Sequence, residues 1–273
     1  MYDYQTLRLE AQGAVLFVTI DAPPMNLIGP ELVRDLVSLI ELLDRGEPYR
    51  VAVFRSADPD FFISHVDVTK VSAYRAEAAR LTGEASIALL FRRLAETRAV
   101  TIAQIEGRAR GAGSEFVLNC DMRFGARGRA ILAQNEAAFG LIPGGGGAQH
   151  LVRMVGRGRA LEILLSADDY DADLAERYGW INRSLDREEI GPFVAALAHR
   201  IARMPATGHA IVKERINAIS LPPVEDYRRD SDLFGEGVTQ VAAQRRIHAA
   251  LDRGFQSREA EIEAGKLLGT LPD

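Results

Sequence analysis

The stretch "GRARGAGSEFVLNCDM", residues 107–122, places a turn of small residues directly before a helical pattern. A strand pattern, "AVTIAQIEG", precedes it, and the small residues let the backbone approach a ligand closely. The pattern predicts a helix that begins near Ala112, and free N–H groups at a helix start favour negative charge. Glu115 then lies in the first turn, where it either faces that ligand or only complements the helix dipole.

A second carboxylate, Glu136, follows in "AQNEAAFGLIPGGGG", between a strand pattern and a loop. Its neighbours Ala137, Ala138 and Phe139 are apolar. Two glutamates in one partly apolar pocket form an acid/base pair, because desolvation and mutual repulsion raise the pKa of at least one of them. We hypothesise that Glu115 and Glu136 meet in space.

The glycine clusters do not match the common nucleotide-binding motifs. "IPGGGGAQ" lacks the lysine and Ser/Thr of a P-loop. In "GRARGAGSEF", Phe116 occupies the third glycine position of a dinucleotide fingerprint. The run Gly144–Gly147 is therefore predicted to form tight turns.

The stretch "DPDFFISHVDVTK", residues 58–70, contains Ser64, His65 and Asp67 within four positions. A catalytic triad is not expected, because triad side chains converge from separate parts of a fold and successive residues of an extended chain point to opposite faces. Two metal ligands at His65 and Asp67 lack an obvious third, so no metal site is predicted.

Composition limits the class of protein. The 273 residues carry a formal charge of −5, which argues against a nucleic-acid partner. The single cysteine, Cys120, suits a reducing compartment. No apolar run reaches the ~18 residues of a membrane span, and the start shows no secretory signal, so we expect a cytoplasmic protein without membrane contact.

Strand and helix patterns alternate up to about Asn182, which predicts an α/β fold, and helical patterns dominate afterwards. The sequence suggests one long helical region in "AYRAEAARLTGEASIALLFRRLAET", residues 73–97, and a hairpin strand in "RAILAQN", residues 129–135. We expect a core over residues 1–195 and a helical region over residues 196–273.

The chain resembles the crotonase (enoyl-CoA hydratase/isomerase) superfamily over most of its length. Five stretches carry the resemblance in the family's order: "PPMNLIGPELVRDL", "FFISHVDV", "GRARGAGSEFVLNCDM", "AQNEAAFGLIPGGGGAQHLVRMVG" and "HAIVKERINA". The resemblance implies a crotonase-type spiral of β-β-α units. It also implies a helical C-terminal trimerisation region, hence a homotrimer or a dimer of trimers.

The resemblance further implies an acyl-CoA thioester substrate, with coenzyme A as part of the substrate and no separate cofactor. The backbone N–H groups of Ser64 and Ala112 match the family's oxyanion hole, and Glu115 and Glu136 match the two glutamates that hold and activate water. We therefore expect a lyase that adds water across the 2,3-double bond of a 2-enoyl-CoA. The expected substrate-binding positions are Asn26, Leu27, His65, Val66, Asp67, Gly111 and Gly144.

Some positions depart from the family pattern. His65 replaces a glycine beside the oxyanion-hole residue, Asn135 stands where proline is common, and Gln244 replaces a lysine expected to reach coenzyme A. His65 is either a base or a side chain that points away from the pocket into hydrogen bonds or solvent. Other crotonase reactions (Δ3-Δ2 isomerisation, dehalogenation, thioester hydrolysis) and a non-catalytic acyl-CoA-binding oligomer are the alternatives.

Overall fold

Two β-sheets organise the protein, as described by a computed structural model for residues 4–271. The strands are β1 (Leu7–Gln12), β2 (Val15–Ile20), β3 (Val51–Ser56), β4 (Phe61–Ile63), β5 (Val100–Ile105), β6 (Arg108–Arg110), β7 (Met122–Ala126), β8 (Ile131–Ala133), β9 (Tyr170–Asp171) and β10 (Arg183–Leu185). Six of them form one sheet in the order β1-β2-β3-β5-β7-β10, and four form a second sheet in the order β4-β6-β8-β9.

The strand connections produce a repeated β-β-α unit. The pairs β3–β4, β5–β6 and β7–β8 each place one strand in the large sheet and the next in the small sheet, and helical segments follow each pair. Neighbours β2, β3, β5, β7 and β10 are parallel, whereas β1 pairs antiparallel with β2. The expected α/β spiral is confirmed.

Helices make up most of the remaining chain. They are α1 (Pro30–Asp44), α2 (Val71–Thr82), α3 (Ile87–Glu96), α4 (Ala112–Leu118), a 3₁₀ helix (Glu136–Phe139), α5 (Gly147–Val155), α6 (Arg157–Ser166), α7 (Ala172–Tyr178), α8 (Arg187–Ala202), α9 (Ala206–Ser220), α10 (Val224–Val238), α11 (Val241–Asp252), α12 (Arg258–Ile262) and α13 (Ala264–Gly269). The predicted start of α4 at Ala112 is confirmed.

Two local predictions are wrong. The helical region 73–97 is split, because Gly83 takes a left-handed conformation (φ 77°) that ends α2, and the Ser86 side chain caps α3. The strand within residues 129–135 does not form a hairpin with β7, because the two strands belong to different sheets. It pairs parallel with β6 and, over two residues, antiparallel with β9.

The central strands β2 and β3 of the large sheet are buried on both faces, which explains the continuous apolar run of β2. Val15 and Phe17 pack with residues of α8 on one face, while Leu16 and Val18 join the main core on the other. Helix α8 also spans the expected boundary between residues 195 and 196. The division into two regions stays a prediction.

The last helices return to the core beside the 3₁₀ helix. Phe139 forms an apolar cluster there with Ile247 of α11, with Leu268 of α13, and with Phe255, which lies between α11 and α12. This packing brings the C-terminal part of the chain next to Glu136, the first residue of the 3₁₀ helix. Within residues 4–271, no helix has the length and apolar character needed to cross a membrane.

Candidate active site

A cavity of about 50 Å³ lies where α4, the 3₁₀ helix and the C-terminal helices meet. Both glutamates singled out by the sequence line it, so the structure brings Glu115 and Glu136 to one site. The other lining residues are mostly apolar: His65, Val66, Val68, Val71, Ile87, Ala112, Asn135, Phe139, Leu141, Gly144, Phe234, Val238, Ile247 and Phe255.

Glu115 is held by the glycine run. Its Oε1 accepts hydrogen bonds from the N–H groups of Gly145 (2.6 Å) and Gly147 (2.8 Å). A Cβ atom on Gly145 would lie 2.6 Å from Glu115 Oε2, so a side chain there would displace the carboxylate. The glycine run therefore does more than turn the chain, and sequence reasoning missed this role.

Glu136 lines the same cavity and lies beside Gly111. Gln134 donates a hydrogen bond of 3.2 Å to Glu136 Oε2. A Cβ atom on Gly111 would lie 3.0 Å from Glu136 Oε1, and Gly111 has a φ of 49°, a region that disfavours other residues. Gly111 thus provides both the turn before α4 and the room that Glu136 occupies.

Burial sets the acidity of both carboxyl groups. Desolvation, followed by repulsion from Glu136, raises the pKa of Glu115 to about 8 against the opposing effect of the two glycine N–H groups. Desolvation also raises the pKa of Glu136 to about 7, opposed by hydrogen bonds and by the charge of His65. Because the two groups interact, they titrate as a pair, and near neutral pH the pair holds a proton.

The loop after β4 and the start of α4 are in close contact. A Cβ atom on Gly113 would lie 2.1 Å from the carbonyl oxygen of Ile63, so only glycine permits this approach. Ser64 follows Ile63, and Ala112 precedes Gly113 at the first position of α4. The N–H groups of Ser64 and Ala112 donate to no acceptor within residues 4–271.

The Ser64, His65 and Asp67 side chains do not form a triad. The Ser64 hydroxyl donates to the carbonyl oxygen of Met25 (2.6 Å), and the Asp67 carboxylate accepts from Thr69 (2.6 Å). Each side chain therefore has a separate partner, as the extended-chain argument predicted.

His65 lines the cavity and is also hydrogen-bonded through both ring nitrogens. Nδ1 lies 2.6 Å from the Val66 carbonyl oxygen, and Nε2 lies 2.9 Å from Glu261 Oε1. The ring stacks on Phe255 with a centroid distance of 4.5 Å. The ring thus belongs to the cavity wall, while both of its nitrogens face protein acceptors and not the cavity.

Four of the expected substrate-binding residues lie outside the cavity lining: Asn26, Leu27, Asp67 and Gly111. The Asn26 amide donates to the carbonyl oxygens of Phe61 and Phe62, which holds β4 in place. His65, Val66 and Gly144 do line the cavity. The residues contributed by α10, α11 and Phe255 were missed, because the family motifs contain no signal for the packing of the C-terminal helices.

Comparisons with known proteins agree with this architecture. The sequence model of the enoyl-CoA hydratase/isomerase family matches residues 10–255. A short-chain-enoyl-CoA hydratase of Clostridium acetobutylicum is 28% identical over 256 residues, which cover 92% of this chain and 97% of the relative. A crotonyl-CoA hydratase of Syntrophomonas wolfei is 29% identical over 72% of this chain and 76% of its own length.

A solved structure extends the likeness to the whole chain. A Streptomyces avermitilis protein, for which enoyl-CoA hydratase activity is proposed, is 50% identical, with a TM-score of 0.98 and coverage of 100% of this chain and 99% of that one. The agreement thus includes the C-terminal helices that close the cavity. With the β-β-α repeat and the match to residues 10–255, it follows that this chain belongs to the enoyl-CoA hydratase/isomerase family.

Proposed function

We propose that the protein is a hydro-lyase that adds water across the 2,3-double bond of a 2-enoyl-CoA thioester. The observation that carries the proposal is the pair Glu115 and Glu136, two buried carboxyl groups with raised pKa values that line one small cavity. Hydration needs a group that accepts a proton from water and a group that supplies one to carbon. A carboxyl pair that shares a proton near neutral pH meets both needs.

The two glutamates release as many protons as they take up in the proposed reaction. The water oxygen bonds to C3 as its proton passes to the ionised carboxylate, and the π electrons move onto the thioester to give an enolate. C2 then takes a proton from the carboxyl group that this transfer has just formed, which returns the pair to its starting protonation state. Glu115 is fixed by Gly145 and Gly147, which suits it to orient the water, and Glu136 is assigned the proton transfer.

The enolate requires donors for its negative oxygen. The N–H groups of Ser64 and Ala112, which have no acceptor within residues 4–271, are proposed to supply them. Such donors are preorganised where charge develops, and loss of one costs about 3–4 kcal/mol of barrier. The names of the Clostridium and Syntrophomonas relatives support the same reaction.

The direct test is incubation of the purified protein with crotonyl-CoA. We expect the ultraviolet absorbance of the enoyl thioester to fall and 3-hydroxybutyryl-CoA to form. The Glu115→Gln and Glu136→Gln variants should each lose at least about 10²-fold in kcat, whereas exposed Glu41→Gln should be unaffected. If crotonyl-CoA, longer and branched 2-enoyl-CoAs all persist, hydration is refuted. Conversion of a 3-enoyl-CoA alone would indicate isomerisation instead.

We further propose that the protein is a homotrimer or a dimer of trimers that contacts its copies through α9. None of the residues of α9 is buried, and Ile211, Val212, Ile216 and Ile219 are all more than half exposed. A contiguous apolar surface of this kind is typical of an interface. Sedimentation analysis should give a multiple of three, and Ile216→Asp should shift it towards the monomer.

A further inference from the structure

The segment Phe255–Glu261, which we name the C-terminal strap, is fastened to the chain around Ser64 on both sides of β4. Before β4, Arg258 forms ion pairs with Asp58 (2.5 Å) and Asp60 (2.5 Å). After β4, the contacts are made by Phe255, Gln256 and Glu261 of the strap. The strap thus spans the stretch that presents the Ser64 N–H.

Gln256 binds the part of the loop beyond His65. Its side-chain oxygen accepts a 2.7 Å hydrogen bond from the N–H of Val68, and its amide nitrogen donates to Asp67 Oδ1 (3.3 Å). Gln256 has a φ of 69°, a conformation uncommon for a residue with a side chain. Contacts that hold such a conformation indicate that the surrounding structure fixes this residue in place.

Glu261 binds the residue next to Ser64. Its Oε1 accepts from His65 Nε2 (2.9 Å) and from the N–H of Gln256 (3.0 Å), and its side chain is fully buried. Arg110 of β6 donates to the Glu261 carbonyl oxygen (2.5 Å). Glu261 is therefore tied both to the small sheet and to the loop.

The acceptors around the His65 ring favour its protonated form. Both ring nitrogens face oxygen acceptors, the Val66 carbonyl and the Glu261 carboxylate, and both can donate only in the imidazolium form. Burial alone lowers the pKa of His65, but Glu261 outweighs this effect, so the pKa is raised. A protonated ring with both nitrogens engaged cannot act as a base towards a substrate.

We propose that His65 is a positioning residue for the backbone N–H of Ser64, and that Glu261 of the C-terminal strap is the partner through which it acts. The inference rests on the proposed oxyanion hole. A hydrogen-bond donor displaced by about 1 Å from the developing charge can lower the rate ~10²-fold. Glycine, the residue expected at position 65, would give the backbone of the loop after β4 more conformational freedom. His65, anchored by Glu261 and Phe255, restricts that freedom.

The test compares two ligands by calorimetry. Acetoacetyl-CoA forms an enolate, which an oxyanion hole binds, whereas butyryl-CoA offers only a neutral thioester carbonyl. We expect the wild type to bind acetoacetyl-CoA more tightly than butyryl-CoA. Glu261→Gln and His65→Gln should each reduce the ratio of the two association constants at least fivefold. The control Glu259→Gln changes an exposed carboxylate on the same helix and should leave the ratio unchanged.

The double variant His65→Gln/Glu261→Gln makes the test specific for the pair. If the two residues act as a unit, the double variant should lose no more than the worse single variant. A purely structural role would lower the melting temperature without changing the ratio, and that result would overturn the proposal, as would additive losses. A wild type that hydrates nothing but prefers acetoacetyl-CoA would refute the proposed reaction alone.

Discussion

The amide nitrogen of Gly145 lies 2.6 Å from Oε1 of Glu115, and the absent Cβ of Gly145 leaves the space that Oε2 occupies. A turn residue and a carboxyl group thirty positions apart are therefore matched in shape as well as in hydrogen bonding. The N–H groups of Gly145 and Gly147 also hold the pKa of Glu115 below the value that burial and Glu136 would otherwise impose.

Gly145→Ala should displace the Glu115 carboxylate and lower kcat for enoyl-CoA hydration by about 10²-fold, because a misplaced acid/base group loses most of its contribution. Steady-state kinetics with crotonyl-CoA measure this change. Gly158→Ala is the matched control, since a Cβ at Gly158 meets no atom within 4 Å. Equal activity of Gly145→Ala and wild type would show that the glycine contact does not position Glu115.

Ala112→Pro should remove one proposed oxyanion donor while keeping α4. Ala112 is the first residue of the helix, a position where proline is well tolerated and where the N–H has no helical acceptor. We expect kcat to fall about 10²–10³-fold with a circular dichroism spectrum like that of the wild type. Ala112→Gly retains the N–H and should retain activity. Similar kcat values for the proline and glycine variants would exclude this N–H from catalysis.

The start of α4 shows how far the sequence determines the site. Its small residues and Glu115 predict a helix start with a carboxylate in the first turn, because these features depend on local backbone sterics and capping. The contact of Gly113 with Ile63, fifty residues earlier, and the contact of Gly145 with Glu115 are not local. No periodicity in the sequence contains them, so the sequence predicts only turns for the glycine run.

The C-terminal helices illustrate the remaining gap. Their apolar faces predict helices, but they do not specify which part of the core they cover. The pairing of His65 with Glu261, 196 residues apart, depends on that packing. A histidine in place of glycine identified position 65 as unusual, whereas nothing in the sequence pointed to its partner.

Glu115→Gln should stabilise the protein at alkaline pH. The folded pKa of Glu115 is raised from an ordinary value of 4.5 to about 8, so the native state binds more protons than the unfolded state between these values. Stability therefore falls as pH rises through this window, and the neutral variant avoids that loss. We expect a gain on the order of 2 kcal/mol at pH 9 and little gain at pH 4.

Urea denaturation at the two pH values measures the gain. The amide oxygen of the variant can still accept from Gly145 and Gly147, so the hydrogen bonds of the site are kept. The exposed Glu41→Gln substitution controls for the change in net charge. A gain that is the same at both pH values would contradict a raised pKa of Glu115.

Phe234→Ala should widen the range of acyl chains. Phe234 of α10 lines the cavity and packs against Gly144, where a Cβ would lie 2.6 Å from Phe234 Cβ. The cavity volume of about 50 Å³ is a third of the ~150 Å³ that holds benzene in an engineered pocket, so we expect the wild type to favour four-carbon over eight-carbon substrates. The variant should raise the ratio of kcat/KM for 2-octenoyl-CoA to that for crotonyl-CoA at least about tenfold, since removal of the ring opens space for additional methylenes.

Phe193→Ala is the control for lost stability, because it makes the same truncation away from the cavity. The Phe193 ring packs against Phe124 on the α8 side of the large sheet. An unchanged ratio in Phe234→Ala, or an equal rise in Phe193→Ala, would show that the Phe234 ring does not limit chain length.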